Sequence, residues 1–230
     1  MNSAPATYSL QTTDVHIWTV PLISTDAALG ALPPLLSPSE HERAERFVFE
    51  NDRARYISCR ATLRLLLSRY TALPPEKINF HYENYGKPSI PGGWQFNVSH
   101  SRDLAAIAIS RFHPVGIDLE RIDPLFPRDE VAAEILDPVE LRDLTALPAT
   151  KQPDRFFQLW TLKEALLKAV GGGFSLDPRA IRIRMDADPA IVAAPPEFQR
   201  ATLHQLTLRD GYAAALAILS RDARPQLFEF

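Results

Sequence analysis

Two carboxylates, Asp118 and Glu120, stand two residues apart in residues 115–120, VGIDLE. Read as a strand, the stretch sends Val115, Ile117 and Leu119 to one face and Gly116, Asp118 and Glu120 to the other, with the carboxylates about 7 Å apart. Two readings fit. The pair is the solvated side of a half-buried strand, or it is the start of a site for Mg²⁺, which takes one or two protein carboxylates and completes its octahedron with water and substrate phosphate. The second reading needs another carboxylate, an anion site and a base. Glu164 and Lys168 form an i,i+4 pair in WTLKEALLK. At ~100° per residue they share an arc of about 60° with Thr161, while Lys163 points away. They are a surface ion pair worth about 0.3–0.5 kcal/mol, or a third metal carboxylate and a phosphate-binding lysine facing a cleft.

Upstream, Lys87 in Gly86-Lys87-Pro88 lies on extended backbone, because the residue before proline is pushed out of the α region. Ser99, His100 and Ser101 end an apolar strand, with Asn97 on the face of Ser99. Lys87 reads as a solvated loop lysine or an anion contact, and His100 as a hydrogen-bonded structural histidine or a ligand contact. Adjacent strand residues point apart and no G-x-S-x-G is present, so a Ser–His hydrolase pair is poorly supported; anion binding suits these residues better. An arginine-rich stretch (Arg53, Arg55, Arg60, Arg64, Arg69, preceded by Arg43 and Arg46) runs among Glu40, Glu42, Glu45, Glu50 and Asp52. Most of these arginines are expected to be solvated or paired, with one or two left to hold phosphate bidentately. The absence of G-x-x-x-x-G-K-[ST] argues against a P-loop NTPase.

The chain that positions these residues has 230 residues, 46% of them hydrophobic, and a net charge of −3. That balance argues against a nucleic-acid binder relying on overall positive charge, while leaving room for a local basic cluster. Cys59 is the single cysteine, which removes disulfides and multi-cysteine metal sites and suggests a small buried hydrophobe. The start of the chain has no signal-peptide pattern and the longest apolar run, GYAAALAILS, is too short to span a bilayer. A cytoplasmic protein with no membrane partner is expected.

Periodicity predicts a strand at 15–20, a short helix at 38–47 and a long helix at 52–70 whose core stripe is Tyr56, Cys59, Leu63, Leu66 and Tyr70. Strands follow at 78–82, 94–100 and 104–110. The second half starts with the strand at 115–120, continues as a helix over 128–147 broken at Asp137-Pro138, then a strong helix at 154–170 and strands at 180–185, 201–208 and 212–219. The same order occurs twice, offset by about 100 residues, with no matching residues visible between the halves. This predicts an α+β fold of two similar lobes, 1–113 and 114–230, with the site in the cleft between them.

Together, GKP, FNVSHS, VGIDLE and LWTLKEALLKAVGGGFSL, in this order and spacing, resemble the Sfp-type 4′-phosphopantetheinyl transferases over about residues 35–180, including SPSEHERAERFVFENDRARY. The resemblance implies a two-lobed pseudo-dimeric fold, acting as a monomer, that moves the phosphopantetheine arm of coenzyme A to a serine of an apo acyl- or peptidyl-carrier protein, releases adenosine 3′,5′-bisphosphate and requires Mg²⁺. It implies Asp118, Glu120 and Glu164 as metal ligands and Lys168 at the phosphates. Lys87, Ser99 and His100 become coenzyme A contacts, with Arg43 and Arg55 near the 3′-phosphate. Glu40 is a departure, since some relatives carry lysine there. Glu164, directly or through water, is the expected base. Rival readings are a non-catalytic binder of coenzyme A or carrier protein and a Mg²⁺-dependent nucleotide phosphohydrolase. For docking the carrier, Leu125, Phe126, Val131, Ile135, Leu136 and Leu141 with Arg128 and Arg142 are candidates, the competing reading being that the apolar ones are lobe core.

Overall fold

A computed structural model describes residues 8–82, 86–172 and 176–230. The first half holds β1 (Asp14–Pro21), α1 (Pro38–Glu45), α2 (Glu50–Thr71), β2 (His81–Tyr82), β3 (Pro88–Ser89), β4 (Gln95–Ser101) and β5 (Leu104–Ser110). The second holds β6 (Val115–Arg121), α3 (Arg128–Ile135), α4 (Pro138–Thr145), α5 (Gln152–Val170), β7 (Arg182–Met185), β8 (Pro189–Ala193), β9 (Thr202–Leu206), β10 (Tyr212–Ile218) and β11 (Arg224–Glu229). The fold is α+β.

Strand alternation builds four layers. Val15 and Ile17 of β1 with Leu104, Ala106 and Ala108 of β5 meet Val115, Ile117 and Leu119 of β6 and Ala214, Leu216 and Ile218 of β10, so the two sheets share an apolar core between them. The opposite faces take the helices. Cys59, Leu63, Leu66, Leu67 and Tyr70 of α2 pack on Trp18, Val20, Ala105, Ile107 and Ile109. Leu162, Ala165, Leu166 and Ala169 of α5 pack on Ala213, Ala215 and Ala217. Cys59 is a buried hydrophobe as expected, its thiol pushed up to about 11 by burial. Of the expected α2 stripe only Tyr56 is half-exposed. Among the described residues no helix is long and apolar enough to cross a membrane.

Within each lobe the sheet order repeats, β1-β5-β4 in the first and β6-β10-β9 in the second. The helix break at Asp137-Pro138 is present as the boundary between α3 and α4. Three expectations need correction. The strand at 78–82 shrinks to β2, because Ile78 ends a 3₁₀ turn whose carbonyls are used elsewhere. The lobe boundary is crossed: β11 returns to pair in parallel with β1, Phe228 stacking on Trp18 at 4.9 Å, so the end of the chain completes the first sheet and not the second. And the halves do share matching residues at one place, partly in type and partly only in role.

That match is a buried ionic clamp made twice. Ser37 caps α1 and Glu40 closes its capping box; Asp137 caps α4 and Glu140 closes that one. Glu40 accepts from Arg64 of α2 at 2.7 Å, and Arg64 also donates to the carbonyls of Pro75 and Ile78. Glu140 meets Lys163 of α5 at 2.6 Å, and Lys163 donates to the carbonyls of Ile135, Pro178 and Ile181. In both lobes a cation from the long helix ties a helix start to the 3₁₀ turn that follows it. Lys163 is therefore spent inside the fold, as its predicted direction away from Glu164 requires.

Candidate active site at the lobe seam

Gly116 sets the distance between α5 and β6. A Cβ there would stand 2.0 Å from the Ala165 carbonyl oxygen and 2.3 Å from the Ala169 nitrogen, so only glycine admits the helix backbone onto the strand. The approach brings Lys168 Nζ to 2.5 Å from Asp118 Oδ1. Asp118 is 2% exposed, which rules out the solvated-face reading of its strand. Ser99 Oγ donates to the same Oδ1 at 2.9 Å, while Oδ2 is buried with no hydrogen-bond partner. Glu120 accepts from Ser101 Oγ at 2.9 Å.

The carboxyls of Glu120 and Glu164 are both held above their ordinary range, first by burial and then by the negative charge of Asp118; Lys168 works against both shifts. Three acids around one lysine thus carry uncompensated negative charge. Among the described residues no group of three or more His, Cys, Asp or Glu side chains is placed to hold a metal ion. A Mg²⁺ site does not demand one, because water and substrate phosphate fill most of its shell. Thr161, on the same arc, is turned inward and donates to the Phe157 carbonyl at 2.9 Å.

The basic residues divide. His100, on the opposite face of β4 from Ser99, is open to solvent; its ring is held below the usual histidine value by partial desolvation first, then by the positive charges of Lys168 and Arg43, with Asp52 working the other way. Arg43 lies over the Tyr56 ring at 5.5 Å and lines a cavity of about 600 Å³ with Arg46, Phe47, Tyr56 and Tyr82. Arg55 touches Asp52 at 3.3 Å and keeps a buried Nε without a partner. Glu40, the expected departure, faces this cavity but is committed to Ser37, Arg60 and Arg64; burial works to raise its carboxyl and those partners outweigh it, leaving it below the ordinary range. Two residues expected at coenzyme A make contacts within the fold. Lys87 donates to the carbonyls of Val115, Lys168 and Ala169 at 3.2, 2.8 and 2.9 Å, capping the C-terminal end of α5. Ser99 is buried and spends its hydroxyl on Asp118 and on the Leu119 N–H. Part of the sequence motif, 173–175, lies outside the described residues.

In the candidate docking segment the apolar residues are mostly core. Leu136 is buried, Phe126 packs among Phe156, Phe157 and Trp160, and Val131, Ile135 and Leu141 lie against the second-lobe core. Leu125, 92% exposed, is the exception, beside Arg128, which pairs with Asp129 at 2.7 Å. Arg142, largely exposed, pairs with Asp143.

The four-layer α+β fold sets an acidic seam and, in the first lobe, a cavity lined by arginines, glutamates and aromatic rings, and sequence comparison gives the family. Residues 114–217 match the 4′-phosphopantetheinyl transferase superfamily and residues 24–111 the 4′-phosphopantetheinyl transferase N-terminal family. The chain is 32% identical over 231 residues to the 4′-phosphopantetheinyl transferase HetI of Nostoc sp. strain PCC 7120, covering 98% of this chain and 96% of that protein. It is 33% identical over 160 residues to Sfp of Bacillus subtilis strain 168, covering 68% and 70%. A holo-(acyl-carrier-protein) synthase structure from Bacillus anthracis in complex with CoA (3′,5′-ADP) aligns at 21% identity and a TM-score of 0.40, covering 46% of this chain and 93% of that one. This chain belongs to the 4′-phosphopantetheinyl transferase family.

Proposed function

We propose that the chain transfers 4′-phosphopantetheine from coenzyme A to a serine of an apo acyl- or peptidyl-carrier protein, releasing adenosine 3′,5′-bisphosphate, at the seam formed by Asp118, Glu120, Glu164 and Lys168. The observation that carries this is the buried, unpartnered Asp118 Oδ2 beside two carboxyls raised by burial and by Asp118, in a chain similar to HetI over nearly its whole length. Carboxylate oxygens are the donor type that a hard divalent cation takes. Asp118, Glu120 and Glu164 would hold Mg²⁺, which supplies charge neutralisation at a bound pyrophosphate.

The protein's own groups do the rest. Lys168, held by Asp118 and close to Ser99, offsets the negative oxygens that repel a nucleophile and stabilises the departing phosphate. Arg43 and His100 receive the nucleotide end of coenzyme A; on the wall of the 600 Å³ cavity Phe47, Tyr56 and Tyr82 suit a purine and Arg43 and Arg46 a phosphate, with Glu40 and Glu42 on the same wall. Arg55, with its free Nε, is the second 3′-phosphate candidate. Glu164 takes the serine proton directly or through water. The serine oxygen then forms its bond to phosphorus as the pyrophosphate P–O bond breaks, and the bisphosphate leaves with the electron pair.

The carrier docks near Leu125 and Arg128, at the mouth of the loop leaving β6. Incubation with coenzyme A, Mg²⁺ and a panel of apo-carriers, followed by mass measurement of the carriers, tests the reading. One carrier gaining a single phosphopantetheine unit is the expected result. Binding without mass gain would give the chain to a non-catalytic binder, and coenzyme A consumed without a carrier would make it a phosphohydrolase.

A further inference from the structure

β6 is an edge strand: β10 pairs with one side, and among the described residues no backbone strand pairs with the other. An edge leaves a row of N–H groups unpaired, which are costly when buried. Here three side chains of β4, one from every second residue, stand in for a strand. Asn97 Oδ1 accepts from the Ile117 N–H at 2.9 Å, Ser99 Oγ from the Leu119 N–H at 3.2 Å and Ser101 Oγ from the Arg121 N–H at 3.1 Å. The ladder crosses from the first lobe to the second and is the polar joint of the seam.

Its lower two rungs do more than close an edge. Each serine hydroxyl, having accepted a strand N–H, donates its own proton to a carboxylate of that strand: Ser99 to Asp118 Oδ1 and Ser101 to Glu120 Oε2, both at 2.9 Å. With Lys168 also on Asp118 Oδ1, it is Oδ2 that is left to face a cation. Asn97 touches no carboxylate in the ladder.

Resting on the metal assignment above, we infer that Ser99 and Ser101 are positioning residues that fix the rotamers of Asp118 and Glu120 and so select which oxygens meet the divalent cation, whereas Asn97 only joins the lobes. The family resemblance puts Ser99 at coenzyme A; within the fold its hydroxyl is bonded to Asp118.

The test uses Mn²⁺, a hard cation suited to carboxylate and water ligands and visible by electron paramagnetic resonance. Its affinity for the full-length protein is measured with coenzyme A present, alongside thermal unfolding. Groups that orient metal ligands typically carry roughly 10–100-fold in affinity. Ser99→Ala and Ser101→Ala are each expected to weaken Mn²⁺ binding about 10-fold or more, and Ser101→Thr, which keeps the hydroxyl, to restore it. Asn97→Ala is expected to lower the Tm with Mn²⁺ affinity unchanged. Ser101, half-exposed at the end of the ladder, keeps the test decisive if Ser99→Ala does not fold. Serine variants that bind Mn²⁺ like wild type, or an Asn97→Ala affinity loss equal to theirs, would overturn the inference. Failure of the wild-type protein itself to bind Mn²⁺ would remove the metal assignment, and the inference with it.

Discussion

The two lobes share a scaffold and differ where chemistry is placed. Both keep the buried clamp, Glu40 with Arg64 and Glu140 with Lys163. Between helix and sheet they diverge. The first lobe fills the space with rings: Tyr70 of α2 bonds His16 at 2.7 Å and the Trp18 indole at 2.9 Å. The corresponding positions of the second lobe are Ala169, Gly116 and Asp118, so the helix backbone comes down onto the strand and an acid occupies the place of an indole. Lys168 corresponds to Arg69, which bonds Tyr8 at 2.9 Å and lies over the Phe230 ring, and Glu164 to Leu65. Finally, β1 has its outer edge covered by β11, whereas β6 has only the side-chain ladder. A duplicated fold can thus keep its structural polar groups twice and build one site, at the edge where rings and backbone pairing have been given up.

The comparison breaks first at Glu164. Glu164→Gln keeps an oxygen but loses charge and basicity, so single-turnover assays are expected to show a rate loss on the order of 10²–10⁴ with coenzyme A binding retained; Leu65→Met at the matching first-lobe position should leave the rate alone. The same substitution has a signed effect on stability. Because the folded carboxyl is raised, its protonated form favours folding; that contribution is full below the ordinary glutamate range and is lost as pH rises through the raised value. Without divalent cation, Glu164→Gln should therefore raise Tm at neutral pH and lose that advantage in acid. A Tm gain independent of pH would show that charge is not its cause.

The clamps come next. Lys163→Met leaves Glu140 buried without its cation and is expected to cost about 3–5 kcal/mol in urea unfolding. Arg64→Met should cost less, about 1.5–3 kcal/mol, because Arg60 remains 2.6 Å from Glu40. The reverse order would mean that the two clamps are not equivalent devices. Gly116→Ala forces helix and strand apart, costing about 1–3 kcal/mol and lowering transfer through Lys168, while His16→Ala in the first lobe should cost stability alone. The smallest effect is at the docking surface: Arg128→Glu should raise the KM for the carrier several-fold with coenzyme A binding unchanged, and an unchanged KM would place docking elsewhere.

What the chain revealed before folding follows from these forces. The alternation of VGIDLE was legible because it has to serve two layers at once, apolar toward the other sheet and small or acidic toward α5. The helix break at Asp137-Pro138 was legible because proline and a capping aspartate both end one helix and start another. β11 was not, since Pro225 reads as a loop, yet a parallel edge strand tolerates it. The clamp hid because Ser37 and Asp137, or Arg64 and Lys163, match in role and not in letter; the available signals were the Pro and Glu shared by 37–40 and 137–140 and a lone lysine on the apolar side of a buried helix, which has to be paired. Lys87 hid because a lysine stem reaches carbonyls distant in sequence.

The central claim is that the chemistry belongs to the second-lobe strand at the seam. Its most direct test is the mass of an apo-carrier after incubation with coenzyme A, Mg²⁺ and either wild-type protein or Asp118→Ala, with the variant's fold checked by its unfolding transition. Wild type is expected to add one phosphopantetheine unit and Asp118→Ala none; a folded Asp118→Ala that modifies the carrier at near wild-type rate would contradict the account.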